Sequence, residues 1–226
     1  GKMKLVFEKA DDFKKAVDAI AVLIDEAEFL VDESGLKLKA TDPSQISMID
    51  FFIPKDGFKE LSVESASKIG LDLDYLSQVM ARAGASDELV LELSSDSTTL
   101  NVVFKGSSTR NFSIPLVDIS QQEIPNPKID FDVELKMKAS VLQDALKDAS
   151  LVSTHISLGA DSEKFFVQAN SSKGKVNNET PKDQLVEMNV KGEAKSMFPL
   201  DYLSDMLKTA SSETEVNVFL KANAPV

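Results

Sequence analysis

The sequence has no cysteine, no tryptophan, one histidine and no long apolar run. Without cysteine, the chain forms no disulfide, offers no thiolate to a metal ion and has no thiol nucleophile. Its apolar segments fall short of the roughly 18 residues that a membrane-spanning helix needs, and the N-terminus shows no secretory signal pattern. We therefore expect an intracellular protein, cytoplasmic, or nuclear if the source is eukaryotic.

Basic residues are also scarce relative to acidic ones. There are 25 Lys and Arg against 37 Asp and Glu, which gives a formal net charge of −12. A protein that holds nucleic acid over its whole surface is usually basic, because each phosphate contact needs a cation. The composition excludes that mode of binding. A local basic patch, or some means other than tight adhesion, stays open.

The 226 residues and 42% hydrophobic content suffice for one large domain or two small ones. Alternating apolar and polar residues dominate and predict strands. Helical spacing interrupts the strands four times. The first helix carries Phe13 and has Asp11 or Asp12 as N-cap, the second covers 72–83, the third follows a Ser140 cap, and the fourth covers 201–210. The predicted strands are 28–32, 36–41, 47–53, 89–94, 100–105, 110–116, 131–138, 165–169, 185–190 and 215–220.

The chain also repeats itself. Its only two tyrosines lie in identical pentapeptides, LDYLS, at 73–77 and 200–204, which are 127 residues apart. The segment LVLEL at 89–93 aligns with VNVFL at 216–220 at the same offset. The first and third helices align at an offset of 129. Three matches in one order predict two copies of one domain.

We therefore expect an α+β fold with two topologically similar domains, at 1–119 and 131–226. The connecting segment, 120–130, contains two prolines at alternate positions, which favour an extended chain. After 89–93 the first copy continues for about two more strands, whereas only six residues follow 216–220. The repeat therefore predicts roughly 20 further residues after Val226, or a second domain that is built differently.

Several segments resemble the sliding clamps of the proliferating cell nuclear antigen family, and the archaeal members most closely. They are GLKLKATDPSQISMID at 35–50 followed by Phe58, RNFSIPLVDI at 110–119, KDASLVS at 147–153 and YLSDM at 202–206. The resemblance covers nearly the whole chain in order. It departs from the family at Thr41, where an aliphatic residue is usual, at Gln45, and at the C-terminus, where the family has two more strands and a tail.

This resemblance implies a ring of three subunits, each with two clamp domains. Helices would line the hole, and antiparallel sheets would form the outer wall. Duplex DNA would pass through the hole without sequence-specific contact, and polymerase, clamp loader, ligase and nuclease would dock through short peptides. The resemblance implies no enzymatic activity, no cofactor and no metal ion. Because a closed ring cannot leave the duplex, weak contacts would suffice, which reconciles a DNA partner with the acidic net charge.

The same resemblance indicates three sets of site residues. The DNA-facing set is Lys14, Lys15, Arg82, Lys147 and Lys208. The groove for partner peptides is Asp42, Gln45, Ile46, Gln122, Ile124 and Pro125. The subunit interface is Arg110, Phe112, Lys175, Val176, Asp144 and Asp148, with an antiparallel pairing of strand edges and ion pairs from Arg82 or Arg110 to the two aspartates. Arg82 cannot serve DNA and the interface at once.

Two alternatives from other classes remain open at this point. One is a carboxylate-dependent metal hydrolase on a duplicated αβ scaffold, for which Asp72 and Asp74 are the candidate carboxylates. The other is a duplicated structural module with unrelated protein partners. The lone His155 lies at a predicted strand start without a catalytic constellation, so we expect a structural or solvent-exposed role for it.

Overall fold

The computed structural model describes residues 2–41, 46–118, 130–210 and 214–222. The chain forms two compact units, the first comprising Gly1–Leu38, Phe52–Asn126 and Lys208–Ser211, and the second Lys39–Phe51, Pro127–Leu207 and Ser212–Val226. The predicted domains assign 39–51 and 208–211 the other way. The predicted connecting segment lies outside the described residues except for Asp130, so these domain limits stay a prediction.

Sixteen strands and four α-helices make up the described part of the chain, and they fall into two matching series. The first series is β1 (Met3–Phe7), α1 (Ala10–Leu23), β2 (Glu26–Asp32), β3 (Gly35–Thr41), β4 (Met48–Pro54), β5 (Glu60–Val63), β6 (Ser67–Asp72), α2 (Leu73–Met80), β7 (Glu88–Leu93), β8 (Thr99–Lys105) and β9 (Thr109–Pro115). The second series is β10 (Val133–Lys138), α3 (Ala139–Ala149), β11 (His155–Ala160), β12 (Lys164–Ser171), β13 (Gly174–Pro181), β14 (Glu187–Val190), β15 (Ala194–Pro199), α4 (Leu200–Met206) and β16 (Glu215–Leu220).

Most strands of the two series have corresponding neighbours. In the first series the hydrogen-bonded order is β5-β1-β7-β8-β9, and a second set runs β4-β3-β2-β6. In the second series the corresponding orders are β14-β10-β16 and β13-β12-β11-β15. The registered strand pairs within these sets are antiparallel. The prediction of an α+β fold with two like topologies is therefore confirmed.

Some backbone hydrogen bonds outside the helices and sheets also occur at equivalent positions in the two copies. The N–H of Ala10 donates to the carbonyl of Asp87 at 2.8 Å, and the N–H of Ala139 donates to that of Thr214 at 2.9 Å. At the start of the second helix of each copy, Leu73 donates to Asp25 and Leu200 to Thr154, both at 2.8 Å. Short 3₁₀ turns also follow β4 and β13, at Lys55–Gly57 and Lys182–Gln184, each behind a proline. The two copies therefore share loop geometry as well as strand order.

Each copy builds its own core beneath its first helix. In the first copy, Phe13 of α1 is 2% exposed and lies 4.9 Å from the Phe7 ring and 6.2 Å from the Phe29 ring. In the second copy, Leu142 of α3 is fully buried at the equivalent position. Burial of these apolar faces is the main stabilising term for both helices, since isolated helices of this length are marginal in water.

Two predicted helix caps are wrong. The N-cap of α1 is Lys9, and Asp11 and Asp12 lie in the first turn, where a carboxylate favours the helix dipole. The N-cap of α3 is Lys138 rather than Ser140. At both helices a strand ends almost directly before the helix begins. Tertiary hydrogen bonds that the N–H groups of Ala10 and Ala139 donate replace a side-chain cap.

Several strands are missing from those predicted by alternation, namely β1, β5, β6, β11, β13 and β15, although the resemblance predicts a pairing edge at β13. The strand β13 contains no buried residue, and β5 has only four residues, so neither gives a strong apolar alternation. Conversely, β16 has the predicted limits because its apolar residues alternate without interruption. In the described part of the chain, no helix is both long and apolar enough to cross a bilayer.

Candidate nucleic-acid interface and pairing edges

The first helix carries two of the five predicted DNA-facing residues. The apolar residues of α1 point into the core, which leaves Lys14 and Lys15 on the solvent side with side chains 31% and 43% exposed. Each lysine has an acidic partner one helical turn away. Lys14 Nζ lies 2.7 Å from Asp18 Oδ2, and Lys15 Nζ lies 3.4 Å from Asp11 Oδ2. Both lysines are therefore neutralised within their own helix.

A third carboxylate of α1, Asp12, is partly buried. Burial raises the pKa of the Asp12 carboxyl above its ordinary value. With three aspartates against two lysines between 11 and 18, the outer side of α1 is not net basic.

The remaining three predicted DNA-facing residues lie where helices end. Arg82 follows the C-cap of α2, Lys147 lies in the last turn of α3, and Lys208 lies in the 3₁₀ turn after α4; all three are exposed. Cations are favoured at helix C-termini because the dipole is negative there. Neither Arg82 nor Lys147 forms a salt bridge with any residue that the structure describes.

The two carboxylates considered for a metal hydrolase have other partners. Asp72 is the N-cap of α2, and its Oδ1 accepts a hydrogen bond from the Tyr75 N–H at 3.0 Å. Asp74 accepts a hydrogen bond from Gln78 at 3.2 Å. Within the described ranges, no group of three or more His, Asp or Glu side chains is arranged to hold a metal ion. The hydrolase alternative therefore gains no support from this site.

β9 and β13 are among the strands that end a sheet in the described part of the chain. β9 is the last strand after β8, and β13 is the last strand before β12. Neither strand is strongly buried: only Ile114 is buried in β9, and no residue is buried in β13. A sheet edge presents unpaired N–H and C=O groups to a further strand. Four predicted interface residues, Arg110 and Phe112 on β9 and Lys175 and Val176 on β13, lie on these two edges.

The two edges differ in the charge beside them. Next to β13, the solvent side of α3 carries Asp144 and Asp148, and Asp148 Oδ2 accepts a hydrogen bond from Asn178 of β13 at 3.3 Å. At the start of β9 lies Arg110. The structure thus places the predicted acidic and basic interface residues beside different edges of the same chain, which suits a head-to-tail contact between copies.

Arg110 has a partner within its own chain that the sequence did not predict. Its Nη2 lies 2.9 Å from Asp87 Oδ2, and the guanidinium lies 5.4 Å from the centre of the Phe104 ring. Asp87, whose side chain is 12% exposed, also accepts a hydrogen bond from the Gly84 N–H at 2.7 Å. A Cβ atom at Gly106 would lie 2.1 Å from Asp87 Oδ1, so this corner requires glycine at 106 or a shift of Asp87. No motif signals the Asp87–Arg110 pair, since the two residues are 23 positions apart in sequence.

Most of the predicted peptide groove cannot be placed. Asp42, Gln45, Gln122, Ile124 and Pro125 lie outside the described residues. Ile46 is described, and it is 44% exposed although it is apolar. The next residue, Ser47, is buried, and its hydroxyl lies 2.5 Å from that of Ser196. His155 is exposed at the start of β11, where its ring Nδ1 lies 3.1 Å from the Thr154 hydroxyl.

Comparison with known proteins agrees with the resemblance seen in the sequence. A family model for the N-terminal domain of proliferating cell nuclear antigen matches residues 3–124. The chain is 38% identical over 210 residues to a DNA polymerase sliding clamp from Thermofilum pendens, covering 92% of this chain and 84% of that protein. It is 37% identical over 224 residues to a sliding clamp from Methanococcus maripaludis, covering 95% and 88%.

Among solved structures, the chain is similar to A. fulgidus PCNA with the C-terminal region of FEN-1 bound. The TM-score is 0.60 at 25% identity, and 99% of each chain is covered.

Proposed function

This chain belongs to the proliferating cell nuclear antigen family and is a DNA polymerase sliding clamp, and we propose that three copies close around duplex DNA to tether replication and repair enzymes. The observation that carries this function is the similarity to DNA polymerase sliding clamps along 92–95% of the chain. The duplicated fold supports it, because two like domains per chain supply the repeating wall of a ring.

Retention by enclosure explains how an acidic chain serves DNA. A ring that surrounds the duplex is released only when it opens, so its inner surface needs no strong phosphate contacts. Strong contacts would slow sliding, because every phosphate that a lysine holds must be released before the ring moves. We place Lys14, Lys15, Arg82, Lys147 and Lys208 on that inner surface as a weak, salt-sensitive lining.

Closure of the ring requires contacts between unlike edges. We propose that β9 of one copy pairs antiparallel with β13 of the next, with Phe112 and Val176 at the contact and Lys175 at its rim. Asp144 and Asp148 beside β13 would face the basic side chain of Arg110. Because Asp144 and Asp148 are exposed and Arg110 already pairs with Asp87, each contact between copies contributes less than about 1 kcal/mol, and the strand hydrogen bonds supply most of the specificity.

Partner enzymes would dock through a short peptide. We propose that Asp42, Gln45, Ile46, Gln122, Ile124 and Pro125 form its groove, with exposed Ile46 as one apolar contact. The A. fulgidus relative binds the C-terminal region of FEN-1, a peptide segment of a partner protein. Polymerase, clamp loader, ligase and nuclease are the partners that we expect here.

We propose that the chain works in the cytoplasm of its source cell, without a catalytic activity of its own.

A loading experiment tests enclosure directly. The clamp is loaded onto a nicked circular plasmid with the clamp loader and ATP, and the DNA-bound fraction is separated by gel filtration before and after the plasmid is linearised. We expect retention on the circle and release from the linear DNA, where the ring slides off the ends. Equal retention on both forms would contradict enclosure. Light scattering on the same preparation should give three times the chain mass of 24.6 kDa.

A further inference from the structure

We propose that Asp11 and Asp18 limit the hold of α1 on DNA by competing with phosphate for Lys14 and Lys15. This inference rests on the proposed function, in which α1 faces the duplex. It assigns a role to two carboxylates that the DNA-facing set leaves out, and that role is to keep phosphate contacts weak.

The geometry places one acid against each lysine. The Lys14–Asp18 pair is 2.7 Å apart and the Asp11–Lys15 pair 3.4 Å apart, each spanning one helical turn. All four side chains are between 31% and 46% exposed. A phosphate can therefore approach both lysines from solvent, but each lysine must first leave its carboxylate.

The competition is graded, since exposed pairs of this kind are weak. An i,i+4 pair on a helix surface shifts an equilibrium by about twofold. The acid partners thus lower the occupancy of each phosphate contact without blocking it. The Asp11–Lys15 pair has the acid nearer the N-terminus, which is the more favourable orientation, whereas Lys14–Asp18 has the reverse order.

The third helix supplies the contrast. At the positions of α3 that correspond to Lys14 and Asp18 lie Gln143 and Lys147. Lys147 forms no salt bridge with a described residue, and the adjacent Asp148 accepts a hydrogen bond from Asn178. The second copy therefore offers a lysine that has no salt bridge to a described carboxylate, whereas each of the two lysines of the first copy has one.

The test measures binding of the 226-residue chain to a short fluorescent DNA duplex by anisotropy at low and rising salt. We expect Asp11→Asn and Asp18→Asn each to raise affinity about two- to threefold at low salt. The double variant should steepen the dependence of log affinity on log salt by up to about one per lysine released. Asp56→Asn, at an exposed site in the turn after β4, removes the same charge away from any lysine pair and should change affinity much less.

A double-mutant cycle separates competition from folding and from net charge. The gain from Asp11→Asn should disappear when Lys15→Gln is also present and should persist with Lys14→Gln, while Asp18→Asn should show the opposite dependence. Equal gains for Asp56→Asn, or gains that persist in the matching lysine variants, would overturn the proposal. If Lys14→Gln and Lys15→Gln leave DNA binding unchanged, α1 does not face the duplex. That result would contradict the DNA-facing assignment itself and, with it, this inference.

Discussion

The two halves of the chain have similar backbone topologies but different side chains at equivalent positions. Several of their loop hydrogen bonds correspond, yet Phe13 in one corresponds to Leu142 in the other. Gly35 at the start of β3 corresponds to Lys164 at the start of β12. A Cβ atom at Gly35 would lie 2.1 Å from the Ile53 carbonyl oxygen, while the second copy accommodates a lysine. Strand order therefore depends on the apolar pattern and the loop geometry, and individual side chains are free to diverge.

The largest expected effect concerns the two cores. Phe13→Ala should lower the free energy of unfolding by about 3–5 kcal/mol, and Leu142→Ala by about 2–5 kcal/mol, because each leaves a cavity. Phe13→Ala should lower the free energy of unfolding by more than Leu142→Ala, since it also removes the contacts with the Phe7 and Phe29 rings. Urea denaturation of the full chain measures both values.

Val22→Ala is the control for these two substitutions. Val22 lies on α1 like Phe13 but is 77% exposed, so its loss should be below about 0.5 kcal/mol. If Leu142→Ala cost more than Phe13→Ala, the aromatic contacts would not be what distinguishes the first core.

An intermediate effect is expected at the Asp87 corner, where the second copy has Thr214 at the equivalent position. Asp87→Ala removes a hydrogen-bonded carboxylate and should destabilise the chain by about 2 kcal/mol. Gly106→Ala should also destabilise, because the added methyl group displaces Asp87. Thermal unfolding of the single and double variants measures the coupling.

The decisive result is the double variant. With Asp87 already replaced, Gly106→Ala should cost clearly less than in the parent chain, because the atom that the methyl group would meet is gone. Additive losses would mean that Gly106 is required for a reason other than Asp87.

The smallest effect is a pH dependence shared by the two copies. Asp32 and Asp161 begin equivalent hairpin turns. Hydrogen bonds from Ser34 lower the pKa of Asp32, and hydrogen bonds from the Glu163 N–H and Lys164 lower the pKa of Asp161. Since each folded pKa lies below the unfolded one, each carboxylate stabilises the fold above the ordinary aspartate pKa. That stability is lost as the pH falls through the folded value.

Asp32→Ala and Asp161→Ala should therefore lower the melting temperature slightly at neutral pH, and the effect should shrink as the pH falls below the ordinary aspartate pKa. Added salt should weaken the effect of Asp161→Ala more, because Lys164 Nζ lies 3.1 Å from Asp161 Oδ2. Melting curves at two pH values and two salt concentrations check both statements. An effect of either substitution that grows toward acid pH would contradict the sign.

The sequence predicts the repeat, the fold class and the four helices, because these depend on periodicity that the residues carry locally. Strand β16 has the predicted limits and α1 nearly so, since both have an uninterrupted apolar pattern. The predictions of the helix caps are wrong because tertiary hydrogen bonds, donated by the N–H groups of Ala10 and Ala139, replace a capping side chain. β13 was not among the strands predicted from alternation, since an edge strand with no buried residue has no apolar alternation to detect.

The candidate site divides in the same way. Lys14 and Lys15 are identified by their resemblance to family positions, and their pairing with Asp18 and Asp11 follows from the i,i+4 spacing. The Asp87–Arg110 pair joins a residue just before β7 to a residue of β9, 23 positions apart, and no local rule predicts it. Long-range partners of single side chains are fixed by the packed fold, and one sequence does not encode them in a readable pattern.

If β9 of one copy pairs with β13 of the next, as proposed above, the use of two unlike edges has a consequence for how copies add to one another. A contact that uses one edge of each kind always leaves a spare edge of each kind at the two ends of a row. Addition of copies therefore stops only when the last copy pairs with the first. The rotation that relates neighbouring copies sets the number of copies in the closed ring. In such an assembly, a single copy whose β13 cannot pair is enough to prevent closure, even when all the other copies are intact.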